Sequence, residues 1–307
     1  MSTSSGVLSR LKSGFVSSFL LASGEVTGVT GKSLEMKLKF WGTRGSIPTP
    51  YPNWMKYGGD TPCIELRTSR DQLVILDAGT GIRRLGLELM RNKPANREIS
   101  ILLSHTHWDH IQGFPFFIPI YDKSFRLKIY GPLRMNSKLE MRLQVQMSDL
   151  FFPVDLSTLE ETMRFVEIVE DPFEVAGLKV YPRNLSHPLG CFGYRIVDVD
   201  NKVVVYATDT EHVPGQISDD LDILARDADL LIYDAHFTDS EFPKYIGWGH
   251  STWQHGVRLC KALNVKKLVL FHHDPSHDDA FLDRVAEEAK TILPGTIVAS
   301  RDLDLEI

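Results

Sequence analysis

The segment Ser104-His105-Thr106-His107-Trp108-Asp109-His110, placed directly after the apolar run 99–103, constrains this chain more than any other feature. Three imidazoles and a carboxylate within six positions form a metal-binding inventory. In extended backbone His105 and His107 project the same way. Asp109 and His110 follow where the chain turns, so they can address a second ion beside the first. A buried strand that ends in such a loop needs partners from elsewhere in the chain, and the remaining sequence can be searched for them.

The chain has 307 residues with ordinary globular composition, 43% hydrophobic and 24% charged. Apolar runs at 36–41, 73–76, 99–103, 127–130, 178–181, 203–206, 230–233 and 268–271 read as strands. Helical patterns fill 82–91, 132–150, 251–263 and 278–292. The alternation is that of an α/β chain with strands sandwiched between helices, and residues 35–307 read as one domain. Residues 1–34 differ, being rich in Ser, Gly and Thr. Their apolar part is short and interrupted by Ser17 and Ser18, with no clear cleavage site after it, so a flexible N-terminal extension is expected rather than a targeting peptide.

The formal charge of −6 argues against a non-specific grip on long nucleic acid, which depends on basic contacts to phosphates, although a local basic patch stays open. No run approaches the length of a membrane-spanning helix, so no membrane association is expected. Three scattered cysteines, Cys63, Cys191 and Cys260, argue against a disulfide framework and for a cytoplasmic home.

The HxHxDH pattern after a buried strand resembles the metallo-β-lactamase fold family of hydrolases, whose other motifs match in order over residues 38–277. They are Asp77 in Leu76-Asp77-Ala78-Gly79, His187 in Ser186-His187-Pro188, Asp209 in Ala207-Thr208-Asp209-Thr210, and His272 in Phe271-His272-His273. The resemblance implies an αββα sandwich. It also implies that His105, His107 and His187 bind one metal, that Asp109, His110 and His272 bind another, and that Asp209 bridges them. Asp77 would orient the histidine loop, a role compatible with capping its own turn. His272 is preferred over His273 because it follows the strand directly. Two divalent ions are implied, zinc best suiting the nitrogen-rich set, with manganese or iron as alternatives.

Gly249-His250-Ser251-Thr252 resembles the ribonuclease Z and phosphodiesterase branch of that family. There the histidine pairs with an upstream acid, here Asp234 in Tyr233-Asp234-Ala235-His236, an Asp where ribonuclease Z commonly has Glu. Ser251 is the expected N-cap of the helix that follows, and simple capping is the competing role for His250. For His236 the sequence leaves substrate contact and a structural role open. His255 is expected to be exposed. The Gly42-Thr43-Arg44-Gly45-Ser46 turn also resembles this branch, and Arg44 is a candidate phosphate contact.

The implied activity is hydrolysis of a small phosphodiester, a 3′,5′-cyclic nucleotide by preference, by a hydroxide shared between two metals with His250 as general acid. Only 22 positions separate His187 from Asp209, where ribonuclease Z enzymes carry a long arm that clasps transfer RNA. Ester, thioester or β-lactam hydrolysis on the same fold, cleavage of RNA ends, and a non-enzymatic metal-binding scaffold are the alternatives. A homodimer is expected by the same resemblance.

Overall fold

The computed structural model describes residues 35–159 and 161–307, so the expected extension over residues 1–34 lies outside the described residues. Two seven-stranded sheets form the centre of the fold. The first contains β1 (Lys37–Gly42), β2 (Cys63–Arg67), β3 (Leu73–Leu76), β4 (Glu98–Leu102), β5 (Arg126–Pro132) and β6 (Met163–Ile168). The second contains β7 (Phe173–Val175), β8 (Leu178–Leu185), β9 (Cys191–Val197), β10 (Val203–Ala207), β11 (Leu230–Asp234), β12 (Lys267–Phe271) and β13 (Ile297–Val298). The chain then returns to the first sheet as β14 (Asp304–Glu306), giving the orders β14-β1-β2-β3-β4-β5-β6 and β13-β12-β11-β10-β9-β8-β7.

Strand periodicity explains the layering. Successive side chains point to opposite faces, and in the central strands both faces are covered, which is why these runs are continuously apolar. In β10, Val204 and Tyr206 join Leu38, Phe40, Val74 and Leu76 of the first sheet in a core between the sheets. Val203, Val205 and Ala207 face the other way, into a core shared with α4 (Asp219–Ala225), α5 (Trp253–Ala262) and α6 (Asp279–Ile292). Ile75, Ile99 and Ile101 do the same on the outside of the first sheet, against α1 (Gly81–Arg91) and α3 (Leu139–Gln146). The result is the expected four-layer αββα sandwich.

Two helix expectations are corrected. The helix expected over 132–150 shrinks to α3, because β5 continues to Pro132 in parallel register with β6. The helix expected from Ser251 begins at Trp253, capped by Thr252, whose Oγ1 accepts from His255 N at 3.1 Å. Ser251 cannot serve as cap because its Oγ lies 2.7 Å from His212 Nδ1 and accepts from Tyr233 Oη at 2.9 Å.

Strands β3, β4 and β5 run parallel, as do β10, β11, β12 and β13, while β8 is antiparallel to β9, as β9 is to β10. The segments that follow β3, β4, β8, β10, β11 and β12 therefore leave at C-terminal strand ends, the usual position of sites in parallel α/β sheets. The sheets are tied together there by Tyr206 Oη donating to Asp77 Oδ2 at 2.6 Å and Tyr194 Oη donating to Leu103 O at 2.6 Å.

Candidate metal centre

Three strand ends supply site residues in left-handed backbone: Asp77 (φ 59°), Asp209 (φ 55°) and His272 (φ 62°). This region is uncommon for residues with a Cβ but is most accessible to Asn, Asp and His, and strain of this kind collects at functional sites. The fourth contribution is the loop after β4, whose short helix α2 (Trp108–Ile111) carries Asp109 and His110.

The structure brings all seven expected ligand residues together in two groups. His105, His107 and His187 offer ring nitrogens within 4.8 Å of one another, as do Asp109, His110 and His272 with one carboxylate oxygen. Asp209 faces both. Its Oδ1 lies 3.9 Å from His105 Nε2 and from His187 Nε2, and its Oδ2 lies 3.2 Å from His110 Nε2 and 3.4 Å from His272 Nε2.

Proton placement indicates what such groups can hold. A neutral imidazole has one N–H and one lone pair. His187 donates from Nδ1 to Gly249 O at 2.9 Å, and His110 from Nδ1 to Asp77 Oδ2 at 2.7 Å. Both Nε2 atoms then turn lone pairs inward, 3.0 Å from His107 Nδ1 and 3.1 Å from His272 Nε2. His105 Nε2 is buried and has no hydrogen-bond partner among the described residues. Converging lone pairs and carboxylates without enough protons between them suit cations, and outward N–H groups anchored to carboxylate or carbonyl are the usual support of ligating histidines. The residues present thus fit divalent metal ions.

The electrostatics divide the ligands: although burial opposes it, the Asp209 and Asp109 carboxylates raise His110 well above the ordinary imidazole range and raise His272 as well, and a divalent ion would displace the protons these two hold. Burial pushes His105 well below the ordinary imidazole range, and it lowers His107 too, keeping both neutral at pH 7. Burial alone would raise the carboxyls of Asp109 and Asp209, but the neighbouring imidazoles, His110 foremost, hold both well below the usual range. Neutral imidazole and ionised carboxylate are the ligating forms.

Asp77 sits beneath the cluster with no exposed surface. Besides His110 and Tyr206 it accepts from Ser104 N at 2.7 Å and Ser104 Oγ at 2.8 Å, so four donors satisfy one buried carboxylate. It thereby joins the histidine loop to β10 through Ser104 and Tyr206, two residues that no sequence motif singles out.

Beside the ligand groups, His250 Nδ1 donates to Asp234 Oδ2 at 2.9 Å, leaving Nε2 for a proton. Asp234 also accepts from Asp209 N (3.0 Å), His236 N (3.0 Å) and Ser251 N (3.2 Å), so it ties His250 to the backbone that turns Asp209 toward the centre. Gly249, at φ 86°, is where a Cβ would lie 2.2 Å from His187 Nδ1, so close approach and backbone angle both require glycine. Glu211 is a further residue that sequence reasoning passed over. Its carboxylate accepts from Gly247 N and Gly249 N at 2.8 and 2.9 Å, and its own amide donates to Ser186 O at 2.7 Å. One residue, by its carboxylate and its amide, thereby links the segments of Asp209, His187 and His250.

Other expectations resolve differently. Arg44 does not reach the centre. It is fully buried, with Nε and Nη2 donating to Gly58 O and Nη1 to Asp274 O and His277 O. The turn serves the site through its backbone instead, since Gly45 packs where a Cβ would lie 2.6 Å from His272 and Ser46 N donates to Asp109 Oδ2 at 2.7 Å. Both ring nitrogens of His236 already have partners, His272 O (2.8 Å) and Asp274 Oδ2 (3.1 Å). His273 Nε2 donates to Ala299 O at 2.8 Å, away from the ligand groups. His255 is buried, not exposed. It stacks on His212 at 4.0 Å, and burial drives its pKa down to about 3.

Residues 72–273, spanning β3 to the segment after β12, match the family model described as a beta-lactamase superfamily domain. The chain belongs to the beta-lactamase superfamily. Within this superfamily it is 26% identical over 322 residues to a ribonuclease Z of Limosilactobacillus reuteri, covering 88% of this chain and 98% of that protein. It is 25% identical to a ribonuclease BN of Proteus mirabilis, with 86% and 98% covered. Among solved structures, the metallo-beta-lactamase fold protein YhfI from Bacillus subtilis superposes with a TM-score of 0.66 at 21% identity, covering 89% of this chain and 99% of that one. This superfamily member is a metal-dependent hydrolase of the ribonuclease Z branch.

Proposed function

We propose that the chain is a two-metal phosphodiesterase acting on a small phosphodiester, a 3′,5′-cyclic nucleotide by preference. The observation that carries this reading is the division of the Asp209 carboxylate between two ligand groups, with the His250–Asp234 pair alongside. His105, His107 and His187 would hold one ion and Asp109, His110 and His272 the other, with one Asp209 oxygen toward each. When bound, the ions, zinc by donor type with manganese or iron as alternatives, supply Lewis-acid charge and water acidified toward neutrality. Asp77 keeps the His110 Nδ1 proton turned outward. Asp234 keeps the Nδ1 proton of His250; burial lowers the His250 pKa and Asp234 opposes that shift, so the Nε2 proton for the departing oxygen would be taken up as the anionic substrate binds.

A small substrate is supported by the path between His187 and Asp209, a turn followed by β9 and β10 with a further turn between them. We take residues 35–307 as the hydrolase domain, and the reducing cytosol as its compartment, which suits three buried unpaired thiols. Among the described residues no helix is long and apolar enough to cross a membrane.

Zinc- or manganese-loaded protein should turn over bis(p-nitrophenyl) phosphate and at least one 3′,5′-cyclic mono- or dinucleotide. Nitrocefin or thioester hydrolysis in their place would overturn the reading. The second reading, cleavage at RNA ends, is favoured by the ribonuclease names of the curated relatives, and a transfer-RNA precursor in the same screen would reveal it.

A homodimer is part of the proposal. The segments 108–117 and 139–152 adjoin through Gln146 Nε2 donating to Ile111 O and the Phe116–Phe152 ring contact. Together they expose Trp108, Phe116, Met141, Val145, Leu150 and Phe151. Exposed apolar patches of this kind mark interaction surfaces. Sedimentation should give twice the chain mass of 34.8 kDa, and Phe151→Asp should return it to one.

A further inference from the structure

A cleft with a volume of about 360 Å³ opens from the metal centre, with His105 and His107 in its near wall. Its size falls within the range of small-molecule pockets, roughly 300–1,000 Å³. Its far wall is formed by residues between β5 and α3, by Arg142 of α3 and by the turn after His187, and it contains two guanidinium groups, Arg134 and Arg142.

Arg134 has no ion-pair partner among the described residues, and Arg142 has one, a long contact to Glu167. Arg134 Nη2 donates to Gly190 O at 2.6 Å, and its guanidinium lies 5.9 Å from the Phe192 ring. Both partners are uncharged. Arg142 Nη2 donates to Pro132 O at 2.8 Å. Its nearest carboxylate is Glu167 Oε1 at 3.8 Å, beyond hydrogen-bond length and already accepting from Leu139 N at 2.9 Å. Arg142 Nε is buried and without a hydrogen-bond partner among the described residues. A buried guanidinium donor left unmet is costly unless something arrives to meet it. Two guanidinium groups against one carboxylate, that of Glu167, leave the cleft with net positive charge carried by Arg134, and guanidinium forks match phosphate oxygens bidentately. The rim adds Met135 and Leu189, both almost fully exposed, which can cover the apolar faces of a sugar or base.

We propose that this cleft binds a second phosphate of the substrate, one carried beside the scissile phosphodiester. The inference rests on the phosphodiesterase reading above and narrows it. The preferred substrate is then a dinucleotide, cyclic or linear, or an oligonucleotide end, rather than a cyclic mononucleotide with its single phosphate. The polarity of the chain in the cleft is tested by placing the extra phosphate at either end.

The test uses zinc-loaded protein and phosphorothioate-linked diadenosine dinucleotides, which resist hydrolysis, with and without a terminal 5′- or 3′-phosphate. Titration calorimetry at low salt reads the affinity of each. One of the two phosphorylated forms should bind about tenfold or more tightly than the unphosphorylated form, the scale of a charge-assisted contact. Arg134→Gln and Arg142→Gln should each cut that preference severalfold, and Arg134→Lys, which keeps the charge, should retain most of it. Thermal melts identify any variant that fails to fold, and the preference is a ratio within one protein, so a general loss of affinity does not mimic the effect. Equal affinities with and without a terminal phosphate, as a neutral base pocket would give, overturn the proposal. So does a preference that survives both Gln substitutions. Because the readout is binding, a chain that prefers the extra phosphate yet hydrolyses no phosphodiester would refute the function and keep the cleft. Hydrolysis without the preference would do the reverse.

Discussion

Asp209→Asn is expected to release metal from both ligand groups and to lower turnover on the order of 10³-fold, since Lewis-acid stabilisation is worth several kcal/mol and each 1.36 kcal/mol is tenfold in rate. The reason is geometric. Asp209 is the residue whose two oxygens face different groups, Oδ1 toward His105 and His187 and Oδ2 toward His110 and His272. An amide keeps one acceptor and replaces the other oxygen by N–H donors, which compete with a cation for the imidazole lone pairs of the group they face. The substitution spares the backbone, because Asn tolerates the left-handed conformation that Asp209 holds at φ 55°. Emission spectroscopy for bound metal, alongside kcat on bis(p-nitrophenyl) phosphate, measures the outcome. Full metal content with unchanged turnover would remove Asp209 from its shared position.

His250→Ala separates proton donation from metal binding. The variant should keep its ions and lose roughly 10²- to 10⁴-fold in kcat on a cyclic nucleotide, the usual range for a positioned acid. The loss should shrink on bis(p-nitrophenyl) phosphate, whose leaving group departs without needing a proton. A purely structural role would lower both activities alike. His250 also lies close enough to His187 and Asp209, and to His236 and His272, to be counted among ligand-capable groups. Loss of an ion from His250→Ala would therefore reassign it as a ligand. Asp234→Asn should have broader consequences, because the same carboxylate accepts from the amides of Asp209, His236 and Ser251.

Where the sequence misled, a tertiary partner had taken over a local role. Ser251 has the right chemistry for a cap, but His212 and Tyr233 engage its hydroxyl and Thr252 caps the helix instead. Arg44 has the right charge for a phosphate, but the chain around it offers three carbonyl oxygens that bury the guanidinium completely. His255 has the polarity of a surface residue, but the packing of α5 against the second sheet stacks it under His212. Strand β2 escaped detection because Glu65 and Arg67 interrupt its apolar pattern, and these two side chains satisfy each other through Arg67 Nε and Glu65 Oε1 at 2.7 Å.

The sequence by itself determined the layered α/β architecture, because continuously apolar strands are stable only when both faces are covered. It also determined the ligand types, because imidazoles and carboxylates placed at strand ends carry their chemistry in their order along the chain. Only the tertiary structure decided how those groups divide. The separation of Asp209 Oδ1 from Oδ2, the four donors that converge on Asp77, the reach of Glu211 across two loops and the paired guanidinium groups of the cleft all join residues distant in sequence. Such contacts follow from the angle and distance at which two sheets meet, and these quantities have no local signature in a chain.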